Sequence, residues 1–387
     1  MGLRVGLDGR ALGNINRFRG IGRYTARLVE SLVRADADIE FILFGYGEAP
    51  QPDLLDPGVL NMLEWRQISN LEKLSYLGLL GEHLLLARTV EEAGVDIFHG
   101  MDHNMTPFLR CPSIVTVHDL ILLVLRGPYL GPKAWLWMQA HRRAAQRASR
   151  VVAVSQSTKR DVERIWGIPR ERIAVVPEGV TPEYHPVEDD KAVDEAAAEF
   201  GMKRPYFLYL GGFDPRKNLH NMLLSFKRFA LAGGKGFQMV LVGDARGFEG
   251  YLHDEIEELG LRDKVVLPGF IPEDSLPALY CGASAFICVS LYEGFGLPLL
   301  EAMACGTPVL ASRASSIPEV VGDAGLLVDP LEPEQIAEGM EKLAGDRGFA
   351  EELSLKGLSR ARQFSWEKTA DTIIDVYREV AEGGEGG

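Results

Sequence analysis

Cysteine is scarce in this chain. Four residues, Cys111, Cys281, Cys288 and Cys305, are scattered through 387 positions, mostly inside apolar segments and without CxxC spacing. That pattern excludes a disulfide framework and a thiolate metal centre, and it reads as reduced core thiols in a cytosolic protein. Long apolar runs are also missing. The longest are strand-sized, and the N-terminus enters a strand at Leu3 to Asp8 without a signal-peptide pattern, so neither a membrane-spanning helix nor a secretory leader is expected. Basic charge is in deficit: the net charge is −14, with 22 basic and 24 acidic side chains in residues 1 to 190 and 19 and 31 in the remainder. Nucleic acid is therefore not an expected partner, although the near-neutral first half can approach an anionic surface. A GxGxxG fingerprint is absent as well. Gly20-Ile21-Gly22-Arg23-Tyr24-Thr25 has threonine in the third glycine position, which argues against a nicotinamide-dependent oxidoreductase.

What is present is a two-domain α/β pattern. The length exceeds what one hydrophobic core sustains, and nearly half the residues are apolar, as in folded globular proteins. Strand-like and helical runs alternate throughout, which predicts doubly wound parallel sheets. Strands are expected near 3–8, 39–46, 62–68, 95–99, 113–118, 150–155 and 172–177, with helices at 20–34, 73–93, 132–148 and 157–166. A Pro-, Glu- and Asp-rich linker follows from Gly179 to Pro205, with one short helix. The second half places strands near 206–211, 238–243, 265–268, 285–290, 308–312 and 326–328. Three helices then close the chain at 332–345, 348–362 and 366–382, and the tail from Gly383 is expected to be disordered.

One stretch organises the rest. Ala285 to Ser290 (AFICVS) reads as a buried strand that delivers the chain to a glycine loop, Tyr292-Glu293-Gly294-Phe295-Gly296, and then to a helix. Pro298 suits the first helical turn and Gly306 the left-handed position past its end. Gly294 and Gly296 lie before the helix's positive end, where a ligand can reach backbone N–H groups. Glu293 on the loop and Glu301 within the helix are eight residues apart, so they cannot pair on one helical face and each is assigned a different part of one extended ligand.

Ligands in open α/β sheets sit beyond the carboxyl ends of the strands. In the second half those ends carry Gly211-Gly212-Phe213-Asp214-Pro215-Arg216-Lys217-Asn218, Val242-Gly243-Asp244 and Pro268-Gly269-Phe270. Arg216 and Lys217 follow a Gly-Gly turn and precede a helix, where adjacent cations can clamp a diphosphate without a metal. A basic pair there opposes the helix dipole, so an anionic partner is expected. In the first half the ends carry Asp8-Gly9-Arg10, Arg19-Gly20-Ile21-Gly22, His99-Gly100 and His118-Asp119. Gly20 and Gly22 can bring N–H groups to a phosphate, His118 a ring nitrogen to a hydroxyl or phosphate, and His99 and His103 can serve an acceptor. Asp36-Ala37-Asp38 has metal-binding spacing but falls at the amino edge of the sheet, so no metal is assigned to it. Thr158-Lys159-Arg160-Asp161 resembles a capping box, with Ser155 to Ser157 as cap candidates. Trp135, Trp137 and Met138, followed by His141, Arg142, Arg143, Arg147 and Arg150, suit either a basic membrane-facing helix or a helix packed on its sheet.

With these residues in place, the sequence resembles the retaining glycosyltransferases of family 4. The resemblance covers most of the chain and is strongest from 206 to 330. It rests on Glu293 and Glu301, on the turn Gly211, Gly212, Arg216, Lys217 and Asn218, on the LVGD strand end and on the EAMACGTPV run. The opening LDGRAL and RGIGRYTARL look like a bacterial branch that transfers mannose in O-antigen or other surface-glycan assembly. The resemblance implies the GT-B fold, two facing Rossmann-like domains with a cleft between them, over 1–190 (joined by the helix from 366) and 200–365. It implies that Glu293 contacts donor-sugar hydroxyls and Glu301 the ribose, and that Arg216 and Lys217 hold the diphosphate. Backbone from Phe295 through Gly296 to Leu297 would meet the sugar or phosphate, and Gly212 the diphosphate. Gly269, Phe270 and Ile271 would border the base; Gly20 and Gly22 would approach the phosphate, and His118 the sugar. Pro177-Glu178-Gly179 departs from the family's usual Pro-Asn-Gly. The implied partners are a nucleotide-diphosphate sugar, with GDP-mannose first and UDP-sugars next, and a glycan or lipid-linked acceptor. No resident cofactor or metal is implied, and the location is cytoplasmic, with peripheral membrane contact possible. A carboxylate positioned to form a glycosyl-enzyme cannot be assigned, so the expected chemistry is a same-face transfer in which the departing phosphate takes the acceptor's proton.

Overall fold

The structure is a computed structural model that describes residues 2–13, 20–36, 38–50, 54–68, 78–125, 131–243 and 249–384. The chain divides into two compact units, Met1–Gly179 with Trp366–Gly387, and Val180–Ser365. The division falls before the linker helix. Asp190–Glu199 packs in the second unit, where a Cβ on Gly282 would meet Val193 Cγ1 at 2.8 Å. The first domain therefore ends about ten residues earlier than its expected boundary at 190.

The first unit holds a seven-stranded parallel sheet in the order β3-β2-β1-β4-β5-β6-β7. Its strands are β1 (Leu3–Asp8), β2 (Ile39–Gly45), β3 (Glu64–Gln67), β4 (Ile97–Gly100), β5 (Ser113–Val117), β6 (Arg150–Ala153) and β7 (Ile173–Val175). Central strands are buried on both faces and read as continuous apolar runs, as parallel sheets require. Helix Gly20–Ala35 covers one face with Tyr24, Leu28 and Leu32, spaced four apart, beside Thr25, Val29 and Val33. The last helix, Trp366–Gly384, returns to this unit and packs on Gly20–Ala35, where the Tyr24 and Trp366 rings meet with centroids 5.7 Å apart, and its Ile373, Ile374 and Tyr377 are buried. It extends to Gly384, two residues into the tail expected to be disordered; residues 385–387 lie outside the described ones. The start of the helix expected at 73–93 also lies outside them, and Gly78–Ala93 is helical.

The second unit holds a six-stranded parallel sheet in the order β10-β9-β8-β11-β12-β13. Its strands are β8 (Tyr206–Leu210), β9 (Gln238–Val242), β10 (Val265–Gly269), β11 (Ala285–Cys288), β12 (Val309–Ser312) and β13 (Leu326–Val328). Phe207, Phe226, Phe229 and Phe237 meet edge-on, tilted or, for Phe226 and Phe229, stacked, with centroids 5.0 to 6.4 Å apart, and anchor one layer of its core. Each sheet reverses winding direction once, between β1 and β4 in the first unit and between β8 and β11 in the second. Loops leaving the two strands at such a reversal turn to opposite sides and open a crevice.

Candidate active site

In the second unit the loops after β8 and β11 carry the charged residues that matter. Beyond β8 the backbone N–H of Gly211 donates to Val242 O at 3.0 Å. A Cβ on Gly243 would lie 1.9 Å from Gly211 O, and its φ of +155° falls where glycine is favoured, so only glycine fits this close approach. Pro215–Lys217 then forms one 3₁₀ turn. Asn218 closes it at φ +60°, a conformation asparagine tolerates, and its Nδ2 donates to Val289 O at 3.0 Å and Pro330 O at 2.6 Å. That anchorage fixes where Arg216 and Lys217 point.

Both cations converge on Glu293, 76 and 77 positions on. Arg216 Nη1 donates to Glu293 Oε2 at 2.8 Å and Lys217 Nζ to Oε1 at 2.6 Å, while Ser290 Oγ donates to Oε1 at 2.7 Å. Arg216 also pairs through Nε with Asp214 at 2.9 Å. These carboxylates are the anionic partners that the basic pair at a helix start called for. Burial alone would push the Glu293 carboxyl up, but Lys217 and then Arg216 outweigh it and hold it down at about 2. The group is ionised throughout the physiological range.

The Glu293 backbone is clamped by residues the sequence reading did not assign. Glu293 N–H donates to Ser315 Oγ at 2.9 Å, and the same hydroxyl donates back to Glu293 C=O. Ser316 Oγ lies 2.9 Å from Glu293 O and 3.0 Å from Phe295 O. Ser315 holds φ at +56°, a strained conformation for serine that its hydroxyl bonds offset. Collecting the end of β12 together with the other strand ends would have found both serines.

Helix Leu297–Ala304 starts after Gly296, at φ +114°, with no side chain capping its first N–H groups. Phe295 and Leu297 turn their side chains inward, so backbone is what this turn can offer a ligand. Gly306 follows the helix at φ +77°, as its sequence position demanded. Glu301 is buried within the helix and accepts from Tyr280 OH at 2.9 Å. Gly212 is exposed and its carbonyl accepts from Tyr209 OH at 2.6 Å. At the end of β10, Gly269 (φ +79°) leaves the Phe270 ring 72% exposed, while Ile271 is buried. Asp244 of the LVGD strand end lies outside the described residues.

The strand ends of the first unit are different. Arg10 is buried and pairs with Asp8 at 2.7 Å and Glu82 at 3.0 Å, and also donates to Asn104 O. Burial opposes its charge, but Asp8, Tyr46 and Glu82 hold it more firmly protonated. His99 is fully buried between Tyr377 OH (2.7 Å from Nδ1) and Thr116 Oγ1 (2.9 Å from Nε2), and burial lowers its pKa to about 3. It is a neutral structural residue, not an acceptor contact. His103 sits beside Asp102, packed on Trp137 and His141 at ring centroids of 5.5 and 5.3 Å. His141 is buried too, so the basic helix Pro132–Arg147 does not present it to solvent.

His118 sits one residue beyond β5 with both ring nitrogens engaged. Nε2 is 3.0 Å from the carbonyl of Met101 and Nδ1 is 3.2 Å from Glu178 Oε1. Both partners only accept, so the ring satisfies them when doubly protonated. Burial works against that charge, and Glu178, by hydrogen bond and by charge, more than offsets it and raises the pKa. The expected sugar contact through this ring would require displacing one of these partners. Glu178, in the Pro177-Glu178-Gly179 segment, supplies the pair. Ser155 caps Gln156–Asp161 by accepting from Thr158 N at 3.0 Å; Thr158 lies inside that helix and donates to His118 O, so the expected capping box does not form. Gly20 opens its helix facing open space and Gly22 is buried in it; Arg19 lies outside the described residues. Asp36 accepts from Arg378 at 2.7 Å. Among the described residues no three His, Cys, Asp or Glu side chains are grouped to hold a metal ion, and no helix is long and apolar enough to cross a membrane.

Comparison with known proteins agrees with this layout. The family model "Glycosyltransferase Family 4" matches residues 18–184, and "Glycosyl transferases group 1" matches 190–360. An Escherichia coli protein named O-antigen chain mannosyltransferase B is 28% identical over 93% of this chain and 96% of its own length. Among solved structures, sucrose-phosphate synthase from Thermosynechococcus elongatus superposes with a TM-score of 0.78 at 20% identity, covering 98% of this chain and all of that one. Anabaena HepE, solved in complex with UDP-glucose, gives 0.77 at 18% identity over 97% of this chain and all of that one. This chain therefore belongs to glycosyltransferase family 4, has the GT-B fold, and is similar to the bacterial mannosyltransferases of that family.

Proposed function

We propose that this protein transfers mannose from GDP-mannose to a glycan or lipid-linked acceptor in surface-polysaccharide assembly, with retention of configuration and without a metal. The observation that carries the reading is the convergence of Arg216, Lys217 and Glu293 at the winding reversal of the second sheet. As the anomeric C–O bond breaks, its electron pair passes to the diphosphate. Arg216 and Lys217, with backbone N–H groups of the turn that leads into the Leu297–Ala304 helix, stabilise the charge as it develops, the task magnesium performs elsewhere. The acceptor oxygen bonds to the anomeric carbon on the same face, and its proton passes to the departing phosphate oxygen. Glu293 orients the sugar hydroxyls, Glu301 meets the ribose, and the exposed Phe270 borders the base.

The choice of mannose is supported by the full-length likeness to O-antigen chain mannosyltransferase B. A UDP-sugar donor is the second reading, favoured by the UDP-glucose complex of HepE. We place the protein in the cytoplasm. Exposed Trp135 and Leu136, on a helix that also exposes Arg143 and Arg147, support peripheral contact with an anionic membrane; co-sedimentation with anionic vesicles that Trp135→Ala leaves unchanged would count against that contact.

The test is a thermal-shift panel of GDP, UDP, ADP and their sugars, followed by transfer assays with the stabilising donor and EDTA. A ligand at 100 times its Kd adds about 2.7 kcal/mol. Lys217→Ala is expected to remain folded and to lose transfer by about 100-fold or more. A donor that stabilises wild type and Lys217→Ala equally, or an inverted product linkage, would overturn the reading.

A further inference from the structure

Resting on that reading of the site, we propose that Glu293 is an internal stand-in for the donor's diphosphate: it holds Arg216 and Lys217 in the unliganded protein, and a nucleoside diphosphate binds by exchanging places with it. The geometry is one of occupied partners. Oε1 of Glu293 takes Lys217 and Ser290, and Oε2 takes Arg216, so three of roughly four acceptor positions on the carboxylate are used. A carboxylate bound in this way has little capacity left for sugar hydroxyls. The cations are committed as well: Lys217 Nζ sits 2.6 Å from Glu293, and Arg216 is shared between Glu293 and Asp214.

The surroundings explain why the pair needs an anion at all times. Ser290 and Tyr209 are buried beneath it, and burial raises the Cys288 thiol to about 11 beside Glu293. Two adjacent cations in so poorly solvated a place are costly unless an anion neutralises them. The protein supplies that anion from its own loop, and the ligand supplies it when bound. Exchange also links the two halves of the donor, because Glu293 becomes free to accept from sugar hydroxyls only once phosphate has taken Arg216 and Lys217. A nucleoside diphosphate without a sugar thus competes with the carboxylate and gains nothing from its release.

This makes a prediction opposite to that for an ordinary contact residue. Glu293→Gln keeps the shape and the acceptor for Ser290 but removes the competing charge. It is expected to bind GDP or UDP more tightly by about fivefold, the scale of one partly screened charge pair, while sugar transfer falls by about 100-fold. Asp214→Asn, at a more exposed position, releases only Arg216 Nε and is expected to tighten binding by about twofold. Isothermal titration of GDP and UDP into the full chain reads both variants beside wild type and Lys217→Ala. If wild type binds, Lys217→Ala does not, and Glu293→Gln binds equally or more weakly, exchange is wrong while the site stands. If neither diphosphate binds wild type, or Lys217→Ala binds as wild type does, the site reading itself falls. Should Glu293→Gln lack a cooperative thermal transition, Asp214→Asn decides alone, and unchanged or weaker binding overturns the proposal.

Discussion

The two sheets of this protein reverse their winding in the same way and place charged groups at the same kind of position, yet the groups serve different ends. In the first unit Arg10 is buried to 5% exposure and surrounded by Asp8, Glu82, Tyr46 and Asn104, and His99 and His118 have both nitrogens engaged. In the second unit the Arg216 side chain keeps 26% exposure, and it pairs with Asp214 on its own turn and with Glu293 on a glycine loop held by serine hydroxyls. A charge that is wholly enclosed by fixed partners acts as scaffold. One at the rim of a crevice, paired with a loop carboxylate, can change partners. Both units thus place charge at a winding reversal, and what sets the second apart is a partly exposed cation paired with a carboxylate on a loop.

The comparison breaks most visibly at Arg10. Arg10→Ala strands Asp8 in the interior and is expected to cost about 3–5 kcal/mol, read by urea denaturation, whereas Lys217→Ala should cost far less. Equal losses would remove the distinction between scaffold and exchangeable charge. The His118–Glu178 pair gives a smaller and pH-dependent effect. His118 is raised above its unfolded value of about 6.5, so its contribution is complete below that pH and is lost as pH rises through the folded pKa. Glu178→Gln is expected to cost about 2 kcal/mol at pH 6 and distinctly less at pH 9; a cost independent of pH would mean that the ring is neutral. The smallest effect is at Ser315. Ser315→Gly relieves the positive φ while losing the hydroxyl clamp, for a net change within about 1 kcal/mol, whereas Ser315→Ala keeps the strain and should lose about 1–2 kcal/mol. Matching values for the two variants would show that strain plays no part there.

Much of this was legible in the residues. Period-two and buried apolar runs gave every strand to within a few residues, because parallel strands covered on both faces leave little freedom in composition. Pro298 and Gly306 bracketed the Leu297–Ala304 helix for reasons of backbone geometry alone. The histidines were not legible. His99 and His118 stand at strand ends like true ligand contacts, and only Tyr377 and Glu178, 278 and 60 positions away, reveal that the protein itself satisfies them. Ser315 was findable by its place after β12, but its role was not, since its partner lies 22 residues earlier and its strained φ leaves no trace in composition.

Taken alone, the sequence determined the alternation of strands and helices and the two-unit α/β class, since propensity, periodicity and glycine placement act over a few residues, and its short motifs carried the resemblance to the family. Only the tertiary structure decided which strand ends meet, that Glu293 lies between Arg216 and Lys217, and that His118 is paired with Glu178. Those pairings depend on strand order, and strand order is set by packing between segments far apart in the chain.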